Sequence, residues 1–206
     1  MKVYKTLFYS NKDANVTTIT VDGTFIKPED WVETTEKFTE QEMLQNSLKV
    51  FLDKEVDYPL LECRELYCSF NKLTKLPALP KCEYVFCEYN ELTELPELPS
   101  CKSLTCCNNS IKKLPALPKC LVLNCRGNSL TELPDIPDII YLECDNNSLT
   151  ELPDIPECCH LNCSHNNLTG LPKLPDCSHL DCSYNYIESD FKFEFFDGRH
   201  QKRRQK

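Results

Sequence analysis

The sequence predicts an α+β solenoid, a repeat fold in which short parallel strands stack in register. Three features predict it: a fixed period, an apolar alternation typical of a strand, and paired prolines after each strand. An asparagine marks every step of the period, and the spacing from each asparagine to the next is constant. These residues, which we expect to have a structural role, are Asn71, Asn90, Asn109, Asn128, Asn147, Asn166 and Asn185.

The repeating unit reads C-x-x-L-x-C-x-x-N-x-L-T-x-L-P-x-L-P-x, as in Cys120 to Asp138. The L-x-C segment predicts a short strand whose alternate side chains point inward, so that stacked repeats form a buried leucine ladder. Each asparagine follows the strand, where its amide can pair with backbone groups that would otherwise be buried unpaired. The prolines fix φ and remove an N–H, which excludes helix and favours an extended outer side.

This pattern resembles the leucine-rich repeat from about Leu60 to Asp190, with cysteine in two leucine columns. The resemblance implies a horseshoe with short parallel strands on the concave side and an extended, polyproline-like convex side. The LPxLP segments, as in LPALP at 76–80 and LPDIP at 133–137, are similar to the short repeats of bacterial secreted effectors. Cysteine-rich versions are also typical of giant DNA viruses of amoebae.

Thirteen of the 15 cysteines lie in the two columns and replace leucine one for one. We therefore interpret them as buried, reduced core residues. Metal binding is the sharper alternative, but zinc sites use clustered cysteine pairs rather than rows with one member per repeat. Cys107 and Cys159 lie outside the columns, and we expect them to be the accessible thiols. No cofactor is expected.

The sequence divides into three parts. Residues 1–60 are predicted to be an N-terminal cap, with a hairpin (Val16 to Val21 and Thr24 to Ile26) and an amphipathic helix; an independent adaptor is the alternative. The apolar face of that helix is Met43, Leu44, Leu48, Phe51 and Leu52, with Ser47. Residues 61–190 form the array, and residues 191–206 a capping strand, with Phe191, Phe193 and Phe195 alternating, and a basic tail.

Composition argues against several classes of partner. The net charge of −9 gives no broad attraction to nucleic acid or to anionic membranes. No apolar stretch is long enough to span a bilayer, and no secretory signal is evident, so we expect a monomeric cytoplasmic protein. An effector would act in the host cytoplasm.

Candidate binding residues are the non-consensus positions that flank the buried leucine and cysteine, since these face the concave side. An aromatic patch near the N-terminal end, Tyr67, Tyr84 and Phe86, has the composition of an interface centre. The competing interpretation is that the cap covers it. The remaining candidates, which include a pair of histidines, are Glu88, Arg126, Tyr141, His160, His179 and Asp181.

No phosphate loop, dinucleotide fingerprint or catalytic constellation is present, which favours a non-catalytic module that binds a protein. The alternative is the substrate-recognition subunit of a ubiquitin-ligase-type assembly, or a pathogen effector. Some bacterial effectors of the LPxLP type carry a ubiquitin-ligase domain after the repeats. Only the short segment 191–206 follows Asp190 in this sequence, so the recognition half alone is expected here.

Overall fold

The computed structural model describes residues 8–10, 16–18, 32–33 and 49–187, with side chains described from residue 49. Three short strands, β1 (Phe8–Ser10), β2 (Val16–Thr18) and β3 (Val32–Glu33), form an antiparallel sheet in the order β2-β1-β3. The described partner of β2 is therefore β1, whereas the hairpin predicted from 16–26 pairs β2 with residues 24–26. Residues 19–26 and 191–206 lie outside the described part of the chain.

The second sheet is a stack of eight parallel strands in sequence order. The strands are β4 (Lys49–Phe51), β5 (Glu65–Tyr67), β6 (Tyr84–Phe86), β7 (Ser103–Thr105), β8 (Val122–Asn124), β9 (Tyr141–Glu143), β10 (His160–Asn162) and β11 (His179–Asp181). From β5 onward, each residue pairs with the residue one repeat later, as Leu104 does with Leu123 and Leu123 with Leu142. The register of the sheet is thus the period of the sequence.

The solenoid contains no helix within the described residues, so the α+β label is replaced by a parallel β-solenoid. The predicted helix is wrong at its C-terminal end, where Lys49–Phe51 forms β4 and pairs with β5. Val50 and Leu52 are buried while Lys49 and Phe51 are exposed, which is the two-residue alternation of a strand. The parallel sheet therefore begins within residues 1–60.

The core is built from the same columns in every repeat. The central leucine of each strand, the two column cysteines, the leucine after each asparagine and the second leucine of LPxLP point inward, and nearly all are buried. The second proline of each LPxLP lies in a turn, because the N–H of the next cysteine binds the carbonyl three residues earlier, as from Cys82 to Leu79 at 3.3 Å.

The asparagine side chains form hydrogen bonds that join neighbouring repeats. The Asn166 amide donates to the carbonyls of Cys144 in the preceding repeat (3.0 Å) and Cys163 (3.1 Å). Its Oδ1 accepts the N–H of Leu149 at 2.9 Å. The residue before each asparagine adopts a left-handed conformation, with φ between 53° and 63°, which turns the chain out of the strand.

The column cysteines are free thiols, and all except the half-buried Cys182 are buried. The cysteines of the first column also form hydrogen bonds. Each thiol donates a hydrogen bond to the backbone carbonyl two residues later, as Cys158 does to His160 at 3.2 Å. Leucine could not make this bond. Burial raises the pKa of the thiols, for example that of Cys68 to about 12 and that of Cys120 to about 11.

Cys107 is not accessible as the sequence suggested. It is 8% exposed, and burial is the main cause of its raised pKa, followed by the nearby charge of Glu88. Among the cysteines, all of which lie in the described part of the chain, Cys159 alone is exposed. The difference arises from position: Cys107 follows a strand on the sheet face, where the neighbouring repeats cover it, whereas Cys159 precedes a strand.

We predict that Asn166→Ala lowers the free energy of unfolding by about 1–3 kcal/mol, because it leaves buried backbone groups in two repeats unpaired. The adjacent Asn167 is exposed and serves as a matched control. Asn167→Ala should change stability by less than about 0.5 kcal/mol. Chemical denaturation of both variants measures the difference, and equal losses would contradict the proposed role of the ladder.

We also predict that thiol titration of the native protein gives one rapidly reacting group, Cys159, with Cys182 reacting more slowly and the remainder only after denaturation. Cys159→Ser should abolish the fast phase. Several fast thiols persisting in that variant would show that the cysteine columns are not packed as described.

Candidate functional site

The outer face of the parallel sheet presents the two residues that flank each buried leucine. We call the residues before the leucine the leading column and those after it the trailing column. The leading column is Lys49, Glu65, Tyr84, Ser103, Val122, Tyr141, His160 and His179. The trailing column is Phe51, Tyr67, Phe86, Thr105, Asn124, Glu143, Asn162 and Asp181. Because the repeats are in register, each column forms a row of neighbouring side chains.

An aromatic ladder occupies the N-terminal end of the trailing column. The rings of Phe51, Tyr67 and Phe86 stack with centroid separations of 5.0 and 4.9 Å. Such offset ring pairs contribute about 0.5–1.5 kcal/mol each beyond the area they bury. The predicted residues Tyr67 and Phe86 are thus brought together, and Phe51 extends the row by one strand.

Charged groups hold the first rungs of this ladder. Lys49 Nζ lies 4.6 Å from the Tyr67 ring centroid and 3.0 Å from Glu65 Oε2, and the Tyr67 hydroxyl donates to the same oxygen at 2.9 Å. The hydrogen bond to Glu65 raises the pKa of Lys49, and the reciprocal bond lowers the pKa of Glu65. The charges therefore fix ring positions rather than remaining free for a partner.

Tyr84 stands in the leading column beside the ladder and is 40% exposed. Tyr67 and Phe86 are half-buried within the stack. Together these rings and Phe51 make one apolar surface on three adjacent strands.

A second set of rings lies at the C-terminal end of the leading column. Tyr141 stacks on His160 at 4.2 Å, and His160 on His179 at 5.1 Å. The Tyr141 hydroxyl donates to Glu143, which raises the pKa of Tyr141 to about 12. Asp181 accepts bonds from the N–H and hydroxyl of Ser183. The predicted residues Tyr141, His160 and His179 are thus close together. The nearby carboxylates of Glu143 and Asp181 already accept hydrogen bonds from Tyr141 and Ser183.

The next outward position follows the second cysteine and carries the predicted Glu88 and Arg126. Arg126 Nε lies 3.2 Å from Oδ2 of Asp145, a carboxylate that is 3% exposed. Glu88 Oε2 and Asp145 Oδ1 are buried and accept no hydrogen bond. Ion pairing across the repeats was not evident from sequence, because it depends on which neighbours in the row have opposite charge.

A further row of rings was missed by the sequence analysis. It lies at the left-handed position before each asparagine, where Phe70 stacks on Tyr89 at 4.6 Å and His165 on Tyr184 at 4.1 Å. Phe70 is 71% exposed and Tyr184 65%. The signal was available, because these positions also recur once in every repeat, but they were not recognised as facing outward.

Other kinds of site find less support in the described residues. Among residues 49–187, no group of three or more His, Cys, Asp or Glu side chains is arranged to hold a metal ion. No helix in the described part of the chain is long and apolar enough to cross a bilayer. The stacked rings and the charges beside them are therefore the main surface features to explain.

Comparison with known proteins places the fold. No protein-family model matches the chain, and no curated protein matches its sequence. Among solved structures it is similar to YopM, a leucine-rich effector protein from Yersinia pestis, with 32% identity over 61% of this chain and a TM-score of 0.56. YopM from Yersinia enterocolitica gives 31% identity over 66% of this chain and a TM-score of 0.52.

A Shigella effector leucine-rich-repeat domain gives 31% identity over 62% of this chain, with a TM-score of 0.53. The chain spans 38% and 35% of the two YopM chains and 62% of the Shigella domain. The likeness to bacterial effector repeats is thus found in structure as well as in motif, while the viral likeness remains a prediction. With its register, asparagine ladder and these neighbours, the protein is a leucine-rich-repeat solenoid.

Proposed function

We propose that the chain is a non-catalytic module that binds a protein partner on the outer face of its parallel sheet, the concave face of the leucine-rich-repeat architecture. The observation that carries the proposal is the contiguous aromatic surface formed by Phe51, Tyr67, Tyr84 and Phe86, in which Phe51 and Tyr84 are exposed and the other two rings are half-buried. Exposed aromatics are the usual centres of protein interfaces, and they are uncommon as a contiguous surface patch without a partner.

The stacking of the rings supports this role energetically. A side chain that is ordered only on binding costs about 0.5–1.5 kcal/mol. Phe51, Tyr67 and Phe86 are already held against each other, and Lys49 and Glu65 fix the rungs. A partner that contacts this surface would therefore gain from apolar burial with little ordering cost.

The setting we propose is that of a pathogen effector acting on a host protein. Two of the similar structures are described as effectors, and they share 32% and 31% identity with this chain. A leucine-rich solenoid presents one side chain per repeat in each column, so it can vary its partner without altering its core. Binding to the host protein would then be set by the columns rather than by the consensus residues.

The proposal predicts that Phe86→Ala weakens binding about thirtyfold, because truncation of an anchor aromatic commonly costs about 2 kcal/mol. Tyr84→Ala should act in the same direction. The partner is first identified by proximity labelling in host cells, then purified and titrated by calorimetry. The melting temperature of each variant is measured alongside.

Leu61→Ala is the control, because Leu61 is exposed and precedes Tyr67 by a few residues but lies outside strand β5. It should leave the affinity unchanged. Unchanged affinity in Phe86→Ala with a large fall in melting temperature would show that the rings are structural. The binding site would then move to the surface around His160, His179 and Asp181.

A further inference from the structure

The residue just before the leading column forms a further row along the side of the sheet. We call it the flank column, and before strands β5 to β10 its members are Arg64, Glu83, Lys102, Leu121, Ile140 and Cys159. Backbone hydrogen bonds join each member to the next, as from the Ile140 N–H to the Leu121 carbonyl at 2.9 Å. Equivalent side chains therefore stand in one row, about 4.8 Å apart.

The flank column changes from charged to apolar halfway along the array. Among its first three members, Glu83 binds Arg64 Nη1 at 2.8 Å and Lys102 Nζ at 2.6 Å. These ion pairs show that neighbouring side chains of the column lie side by side. The next two members are Leu121 and Ile140, both exposed, so they form one aliphatic strip.

The apolar surface continues from this strip onto the sheet. Val122, next to Leu121, is exposed, and Tyr141, next to Ile140, is half-buried. Val122 and Tyr141 are paired in register between β8 and β9. We call these four residues the flank patch. Exposed apolar side chains are ordinary when they are scattered singly, whereas a contiguous group on adjacent strands indicates a contact surface.

Acidic side chains border the flank patch toward the C-terminal repeats. The turn after the second proline of each LPxLP carries Lys119 in one repeat and Asp138, Glu157 and Asp176 in the three that follow. All four are exposed, and none forms an ion pair within the described residues. The Cys159 thiol donates to the Glu157 carbonyl at 3.6 Å, which places this turn directly beside the flank column.

The size and the charge of this surface limit what can cover it. Exposed, unpaired carboxylates beside an apolar centre favour a partner with lysine or arginine at the edge of its contact. Four side chains offer well under the roughly 800 Å² per partner that a stable interface between folded proteins buries. The net charge of −9 also disfavours a second copy of the chain. A short, basic segment of another protein fits both limits.

We propose that the flank patch binds a short segment of a partner protein in which two neighbouring aliphatic residues stand beside lysine or arginine. The aliphatic side chains cover Leu121 and Ile140, and the cations lie toward Asp138, Glu157 and Asp176. The inference rests on the proposed interaction function and adds a second contact to it. Because it uses β8 and β9 rather than the aromatic surface on β4 to β6, it can fail separately.

The test uses three synthetic peptides of equal length and the whole protein. The first peptide has two leucines followed by three lysines, the second has alanines in place of the leucines, and the third has glutamates in place of the lysines. Each is titrated into isotope-labelled protein and followed by amide chemical shifts. The first should give saturable shifts confined to residues 119–122, 138–141 and 157–160. The other two should bind at least about tenfold more weakly.

A pair of variants tests the apolar contact. Ile140→Ser should weaken binding of the leucine–lysine peptide at least about tenfold, because it removes aliphatic surface from the centre of the patch. Leu61→Ser is the matched control, since Leu61 is 47% exposed against 46% for Ile140 but lies in another repeat. It should leave the affinity unchanged. Melting temperatures establish that each variant is folded.

A second pair of variants tests the charged rim. Asp138→Asn, Glu157→Gln and Asp176→Asn combined should weaken binding about threefold or more at low salt and remove most of its salt dependence. The control combines Asp135→Asn, Glu151→Gln and Asp154→Asn, which changes the net charge equally at exposed positions further along the outer segment. Affinity and salt dependence should be closer to those of the unaltered protein.

Absent binding, shifts centred elsewhere, or equal binding of the leucine and alanine peptides would overturn the proposal. So would self-association of the protein that Ile140→Ser abolishes, because the occupant would then be a second copy. The proposed function is judged separately, since it depends on Phe86→Ala. If a host partner is lost by Phe86→Ala but kept by Ile140→Ser, the interaction function stands and the flank-patch proposal fails.

Discussion

The asparagine ladder is the interaction on which the rest of the structure depends. The strands of the stack are only three residues long, although backbone bonds such as that from the Cys106 N–H to the Asn124 carbonyl at 2.9 Å continue the pairing beyond them. The side-chain amide of each asparagine donates hydrogen bonds to backbone carbonyls in its own repeat and in the preceding one, as that of Asn128 does. In addition, the Oδ1 atom of each asparagine from Asn90 to Asn185 accepts a backbone N–H of the preceding repeat, as Asn128 does from Ile111 at 3.0 Å. The chain must enter a left-handed conformation to place them, even at Phe70 and Tyr89. That cost is repeated at every turn of the array and offset by the buried hydrogen bonds.

A register fixed in this way also determines the surface. Because equivalent positions of all repeats lie in one row, side chains that are one repeat apart in sequence become neighbours in space. Aromatic residues at equivalent positions therefore stack, as Tyr67 does on Phe86. The core columns are nearly invariant, while the leading and trailing columns differ from strand to strand. The residues that stabilise the fold are therefore different from those of the proposed binding surface, although both belong to the same repeat.

The sequence predicted the solenoid, its register and its core because the period is carried by residues with a physical role, namely Asn, Leu, Cys and Pro. It predicted the wrong structure for Phe51 and Leu52 because the spacing from Val50 to its partner Leu66 is shorter than one repeat, so the first strand falls outside the pattern. Of the candidate site, Tyr67 and Phe86 could be placed together from the spacing alone. The sequence could not predict the burial of Cys107 or the unpaired oxygens of Glu88 and Asp145, because these depend on how side chains of neighbouring repeats cover one another.

The central claim is that asparagine side chains replace the missing backbone partners between the strands and the outer turns. Amide hydrogen exchange tests it most directly at Leu92, Ile111, Leu130 and Leu149, whose N–H groups bind an asparagine Oδ1 of the next repeat at 2.9 to 3.0 Å. The account predicts that these amides are protected to a degree comparable to Leu104 and Leu123 in the strands. Exchange at the rate of an unfolded peptide, with the strand amides still protected, would contradict it.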